Sequence, residues 1–202
     1  MRQSSALASS APDWRRRLRV VFALSVLAAP VEYVTHEGAH FGVARLYGVQ
    51  AALHFDRVTL PPDTRLGDLE NAVFAAAGPA IDWIVGLAAL ALLLARYTPI
   101  RLVLAIWVAR PLQFLPALIG IDLSLLGAGG SLDGTDEGVV AAALGLPAQA
   151  VIGMELAAAI PLLGLIAWCV PTPGRLTTLA TLALGVLLGW AAWLTLGAGV
   201  LP

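Results

Sequence analysis

Lysine is absent from this 202-residue chain; its twelve basic residues are all arginine. That usage is a compositional habit rather than a function, and a net charge of −1 gives no sign of a nucleic-acid partner. Cysteine occurs once, at Cys169 in an apolar stretch. An internal disulfide is therefore excluded, and the residue reads as a small buried hydrophobe. Charge itself is scarce. Only 12% of residues are charged and 59% are hydrophobic, where a soluble domain usually carries about a quarter charged residues. With a mean hydropathy of +0.84, the composition excludes an ordinary soluble domain and predicts an all-α integral membrane protein. It is expected to be multi-pass, in the lipid bilayer of a bacterial inner (plasma) membrane.

The polar start, residues 1–13, reads as a loose tail, and residues 14–202 as one domain without repeat or linker. Arg15 to Arg17 and Arg19, ahead of an apolar run, have the look of a signal peptide. The run continues straight into a histidine motif, however, which cleavage would destroy. The expected architecture is a bundle of about five to six transmembrane helices, each needing roughly 20 apolar residues. Spans are expected at 14–47, with a kink near Pro30, and at 71–95, 100–119, 148–170 and 176–196. Residues 49–60, "VQAALHFDRVTL", partly alternate, include β-branched residues and precede "PPD". They read as a small strand or hairpin at the membrane surface. "GIDLSLLGAGGSLDGTDE" at 120–137 is too rich in Gly and Asp to face lipid. Irregular backbone of this kind is tolerated at membrane depth where it lines a polar cavity.

Against this apolar background, "VEYVTHEGAHFG" at 31–42 stands out. His36, Glu37 and His40 form H-E-x-x-H. On a helix, positions i and i+4 share a face, so both imidazoles can reach one metal ion. Imidazole suits zinc, and Glu37 projects beside the pair, placed to take a proton from a water that the metal activates. Shuffling this composition yields the pattern about once in a thousand chains. The blander reading, two helix histidines bonded to bundle neighbours, leaves that spacing unexplained, and ionisable residues inside a membrane are functional by default.

A hydrolytic zinc site needs a third protein ligand and one open position. Cys169 is a poor candidate, and His54, on the strand-like segment, suits a surface or substrate-groove role. The remaining candidates are Glu32, Asp82, Asp122, Asp133, Asp136, Glu137 and Glu155, of which the cluster "SLDGTDEG" is the most conspicuous. Glu32, one helical turn before His36, is a candidate to hold that ring by a hydrogen bond; the alternative is a protonated acid facing a neighbouring helix. Arg110 lies inside an expected span and needs a partner, with Asp82 and Asp122 the obvious ones. An arginine there could also stabilise an oxyanion.

These residues resemble those of the intramembrane zinc metalloproteases of the site-2 protease type. "HEGAH" at 36–40 resembles the family's HExxH on its first core helix. "AAAGPAIDW" at 75–83 resembles an A-G-P-x-x-N segment, with Asp82 where the family has Asn. "LPAL", "SLDG" and "TDEG" resemble its N-x-x-P…D-G region, although Pro116 lies 17 to 20 positions before the acids and Gln113 stands where Asn is expected. The resemblance covers roughly residues 20–145 and implies a small sheet after the motif helix, as residues 49–60 suggest.

It also implies an aspartate as third zinc ligand, and two compete. Asp133 lies in the literal "LDG". Asp136 lies three residues before an apolar helical run, closer to the family's spacing, and is the expected ligand; the other is expected to cap the helix. The implied activity is zinc-dependent hydrolysis of peptide bonds in membrane-embedded or membrane-adjacent segments, with Glu37 as general base. The alternative is an accessory subunit of a larger membrane complex, suggested by the small size and the altered spacing. A polar pathway for ions or protons would use the same buried groups but would not account for HExxH. Arginine counts on the two sides place the N-terminus in the cytoplasm and His36 nearer the outer face. The resemblance implies the opposite depth.

Overall fold

The computed structural model describes residues 11–118, 132–172 and 174–201; Asp122 lies outside them. Helix α1, Ala11–Leu46, runs unbroken for 36 residues. At 1.5 Å per residue that is about 54 Å, longer than the roughly 30 Å hydrocarbon core of a bilayer. Pro30 lies within it and offers no N–H to the Val26 carbonyl, four residues earlier. Helix α7, Arg175–Leu196, packs at that point. Its Gly189 is so close to the Val26 carbonyl that a β-carbon would overlap it, and one on Gly185 would crowd Ser25. The two glycines are four apart, the small-residue spacing that lets membrane helices approach closely.

After α1, Gly48 takes φ 75°, and the Val49 N–H donates to the Ala44 carbonyl at 3.0 Å, ending the helix in the usual left-handed glycine turn. Strands β1, Ala52–Leu53, and β2, Val58–Thr59, then pair antiparallel with Ala52 opposite Thr59. This is the small hairpin expected at 49–60. It is pinned to the end of the bundle: the Phe55 N–H donates to Leu201 O at 3.1 Å, and Trp193 Nε1 donates to Phe55 O at 2.9 Å.

Helix α2, Asp68–Ala95, returns along α1. The expected third span, 100–119, is not a long helix. It comprises α3, Pro99–Ala105, a 3₁₀ stretch, Ile106–Phe114, and α4, Leu115–Leu118. Pro111 has no amide to donate to the Trp107 carbonyl, although Pro30, Pro79 and Pro161 sit inside continuous α-helices and the 3₁₀ stretch already begins at Ile106. A 3₁₀ turn, Leu132–Gly134, precedes α5, Asp136–Ala143, and α6, Ala148–Cys169. Among the described residues four helices, α1, α2, α6 and α7, are long and apolar enough to cross a membrane, so the expected count of five to six spans is not confirmed. The four, with Leu27, Ile84, Ile160 and Leu187 facing outward, are the mark of a membrane protein.

Apart from Arg110, arginines lie toward the two ends. Gly174 lies against the Trp14 ring, which brings the start of α1 beside the α6–α7 turn. Arg175 donates to Val170 O and Trp168 O, and Arg101 to Leu92 O and Arg96 O, so both satisfy carbonyls at helix C-termini. Arg45 and Arg57 lie at the hairpin end. Val21, Leu90, Leu93, Leu102, Ile166 and Leu182 form an apolar core shared by α1, α2, α3, α6 and α7. The buried titratable residues His36, Glu37, His40, Asp82 and Glu137 belong to α1, α2 and α5.

Candidate metal centre

His36 and His40 point from α1 toward α2 and the start of α5. Each ring is held through Nδ1. For His36 the partner is Asp82 Oδ2 at 2.7 Å; for His40 it is the Phe74 carbonyl at 2.6 Å. A carbonyl can only accept, so His40 Nδ1 carries a proton; Asp82 Oδ2, which also accepts from Arg110 Nη1, is placed to accept from His36 Nδ1 in the same way. In the neutral rings both Nε2 atoms then present lone pairs. Those two atoms lie 3.2 Å apart, and Asp136 Oδ2 lies 3.1 Å from one and 3.2 Å from the other. Three acceptors aimed at one point repel one another unless positive charge sits among them.

A proton would serve one pair, whereas a metal ion would serve all three. Ligand arms of about 2.0–2.1 Å in a tetrahedron give edges of about 3.3–3.4 Å, close to this triangle. His36, His40 and Asp136 are thus a group that could hold a metal ion. Burial raises the Asp136 carboxyl, and imidazoles that donate to it or carry charge lower it by more, below the usual carboxylate range; with bare Nε2 lone pairs that role falls to a cation in the cluster. Its neighbour Glu137 is pushed up by burial.

The backbone makes room for this cluster. A β-carbon on Gly78 of α2 would overlap both imidazole rings, so only glycine lets α2 come this close. On the far side, Thr135 caps α5 by accepting the Gly138 N–H at 3.1 Å, which sets Asp136 at the helix's first position. The cap expected of Asp133 is therefore supplied by Thr135. Asp133 itself sits exposed in the 3₁₀ turn and is not part of the group. Glu37 is buried on α1, within the fields of His36, His40, Asp136 and Arg110.

One other expectation changes. The hydrogen bond proposed for Glu32 is made by Asp82, which holds His36 from the facing helix. Arg110 does pair with Asp82, Nη1 to Oδ2 at 3.0 Å, and its Nη2 also lies 3.1 Å from His36 Nε2. His54 belongs to the hairpin, its Nε2 3.0 Å from Thr59 Oγ1. Cys169 packs against the apolar core. Glu32, Arg110 and Gln113 line one side of an otherwise apolar cavity of about 560 Å³ between α1, the 3₁₀ stretch, α6 and α7. The Phe74 carbonyl is a site group that sequence could not reveal, since any residue supplies one. Gly78 left a trace in the quoted "AAGP". No family model, curated protein or solved structure matches this chain.

Proposed function

We propose that this protein is an intramembrane zinc-dependent endopeptidase. The observation that supports the reading best is the convergence of His36 Nε2, His40 Nε2 and Asp136 Oδ2 within 3.2 Å of one another beside the buried Glu37. Two imidazoles and a carboxylate are a donor set that suits zinc and leaves one position open. When bound, zinc supplies Lewis acidity, polarising a carbonyl and acidifying water.

The chain's own residues do the rest. His36, His40 and Asp136 hold the ion, while Asp82 and the Phe74 carbonyl fix the two rings by their Nδ1 protons. Glu37 takes a proton from the attacking water and returns it to the departing amine nitrogen as the peptide bond breaks. The substrate is a membrane-embedded or membrane-adjacent segment in extended form, and the two-strand hairpin offers an edge on which such a segment could pair. The arginine-rich end, by the positive-inside rule, lies in the cytoplasm.

The test is cleavage of a single-span substrate in proteoliposomes by the wild type and by Glu37→Gln. The amide keeps the shape of the side chain but cannot accept the proton. The expected result is retained metal and a rate reduced by about 10²–10⁴-fold. Undiminished cleavage by the variant would remove Glu37 from this role. A wild type that holds metal and cleaves nothing would favour an accessory subunit.

A further inference from the structure

Arg110 is more than a counter-charge. Its guanidinium touches both Asp82 Oδ2, at 3.0 Å, and His36 Nε2, at 3.1 Å, and it lines the 560 Å³ cavity. Its Nε has no hydrogen-bond partner among the described residues. An arginine that only neutralised Asp82 would have no need to reach the metal-facing nitrogen of the ring. The 3₁₀ stretch around Pro111 aims the side chain there, and Asp82, buried at 2% exposure, anchors one arm of the planar fork. A lone pair serves one partner at a time. If a metal takes that of His36 Nε2, Arg110 Nη2 is freed to donate elsewhere, and it faces the centre at which an oxygen of the substrate would arrive.

We infer that Arg110 is a catalytic residue of this centre, donating from Nη2 to the oxygen of the attacked carbonyl as negative charge builds on it. This rests on the peptidase reading above. When water adds to the carbonyl carbon, the C=O π pair moves onto that oxygen, and the guanidinium stabilises it without giving up a proton, since arginine stays charged. When the tetrahedral species collapses, the pair returns and the C–N bond breaks. A charge-assisted donor fixed before the reaction is worth more than one that must reorganise.

The experiment uses the full chain in detergent, loaded with Co²⁺, whose visible spectrum reports both the metal and what joins it. The probe is a phosphinic dipeptide with apolar side chains, a stable mimic of the tetrahedral oxyanion. Because Arg110→Gln alone would strand a buried Asp82, the comparison is Asp82→Asn against Asp82→Asn/Arg110→Gln, which removes both charges. The expected result is cobalt affinity equal within about threefold in the two variants, with phosphinic affinity at least about tenfold weaker in the second, the loss of one charged hydrogen bond. In cleavage, kcat should fall with KM little changed. Asp82→Asn/Arg110→Lys should recover only part of the phosphinic affinity, as a point charge lacks the fork. Equal phosphinic affinity in the first two variants, or loss of cobalt along with Arg110, would make Arg110 a structural partner and overturn the inference alone. A wild type with no cobalt spectrum would overturn the peptidase reading itself.

Discussion

His36 and His40 meet because they lie four positions apart on one helix, whereas Asp136 reaches them from 100 and 96 positions away in the chain. That contrast decides what could be read in advance. The histidine pair is local helix arithmetic and needs no tertiary knowledge. The choice of Asp136 over Asp133 leaned on resemblance, and the structure places Asp136 with the histidines because Thr135, rather than either aspartate, caps α5. Local arithmetic makes Glu32 one candidate partner for His36, yet Asp82 holds that ring, since its Nδ1 faces α2 and not its own helix. The residue-scale prediction follows. Asp136→Ala removes one of three converging acceptors and should weaken zinc binding by more than the roughly 10–100-fold that a lost supporting partner costs. Asp133→Ala should leave zinc affinity unchanged. Chelator competition on the two purified variants reads both, and the reverse pattern would move the ligand into the 3₁₀ turn.

At the scale of elements, the approach of α2 to α1 makes the centre possible, and Gly78 permits that approach. Alanine there improves helix propensity yet drives a methyl group into two imidazoles. Overpacking of this kind costs about 1–3 kcal/mol. Gly78→Ala should therefore keep its helical circular dichroism while zinc affinity falls at least about tenfold. Gly164→Ala, where an added β-carbon meets nothing, should change neither. Equal zinc affinity in both variants would mean that the rings have room to spare. The hairpin was legible from alternation ahead of "PPD", and α2, α6 and α7 from long apolar runs. The stretch 100–119 differs from expectation because hydropathy does not register geometry: it is apolar enough to span, but its described part is α3, a 3₁₀ segment and α4, and the 3₁₀ segment carries Arg110 toward the centre.

For the whole molecule, depth matters. His36 lies ten residues before the end of α1, about 15 Å at 1.5 Å per residue, and some 22 residues, about 33 Å, from Trp14. The centre is thus nearer the hairpin end, away from the arginine-rich end. A cluster of two imidazoles with Glu37, Asp82, Asp136 and Glu137 within an apolar bundle is costly without positive charge to balance it, and Arg110 supplies one charge where a divalent ion would supply two more. The central claim is that His36, His40 and Asp136 bind a metal. Its most direct test is elemental analysis of the protein purified from zinc-replete cells, wild type beside His36→Ala. The account predicts close to one zinc per wild-type chain and almost none in the variant. A folded wild-type protein that carries no metal, or a His36→Ala protein that carries as much, would contradict it.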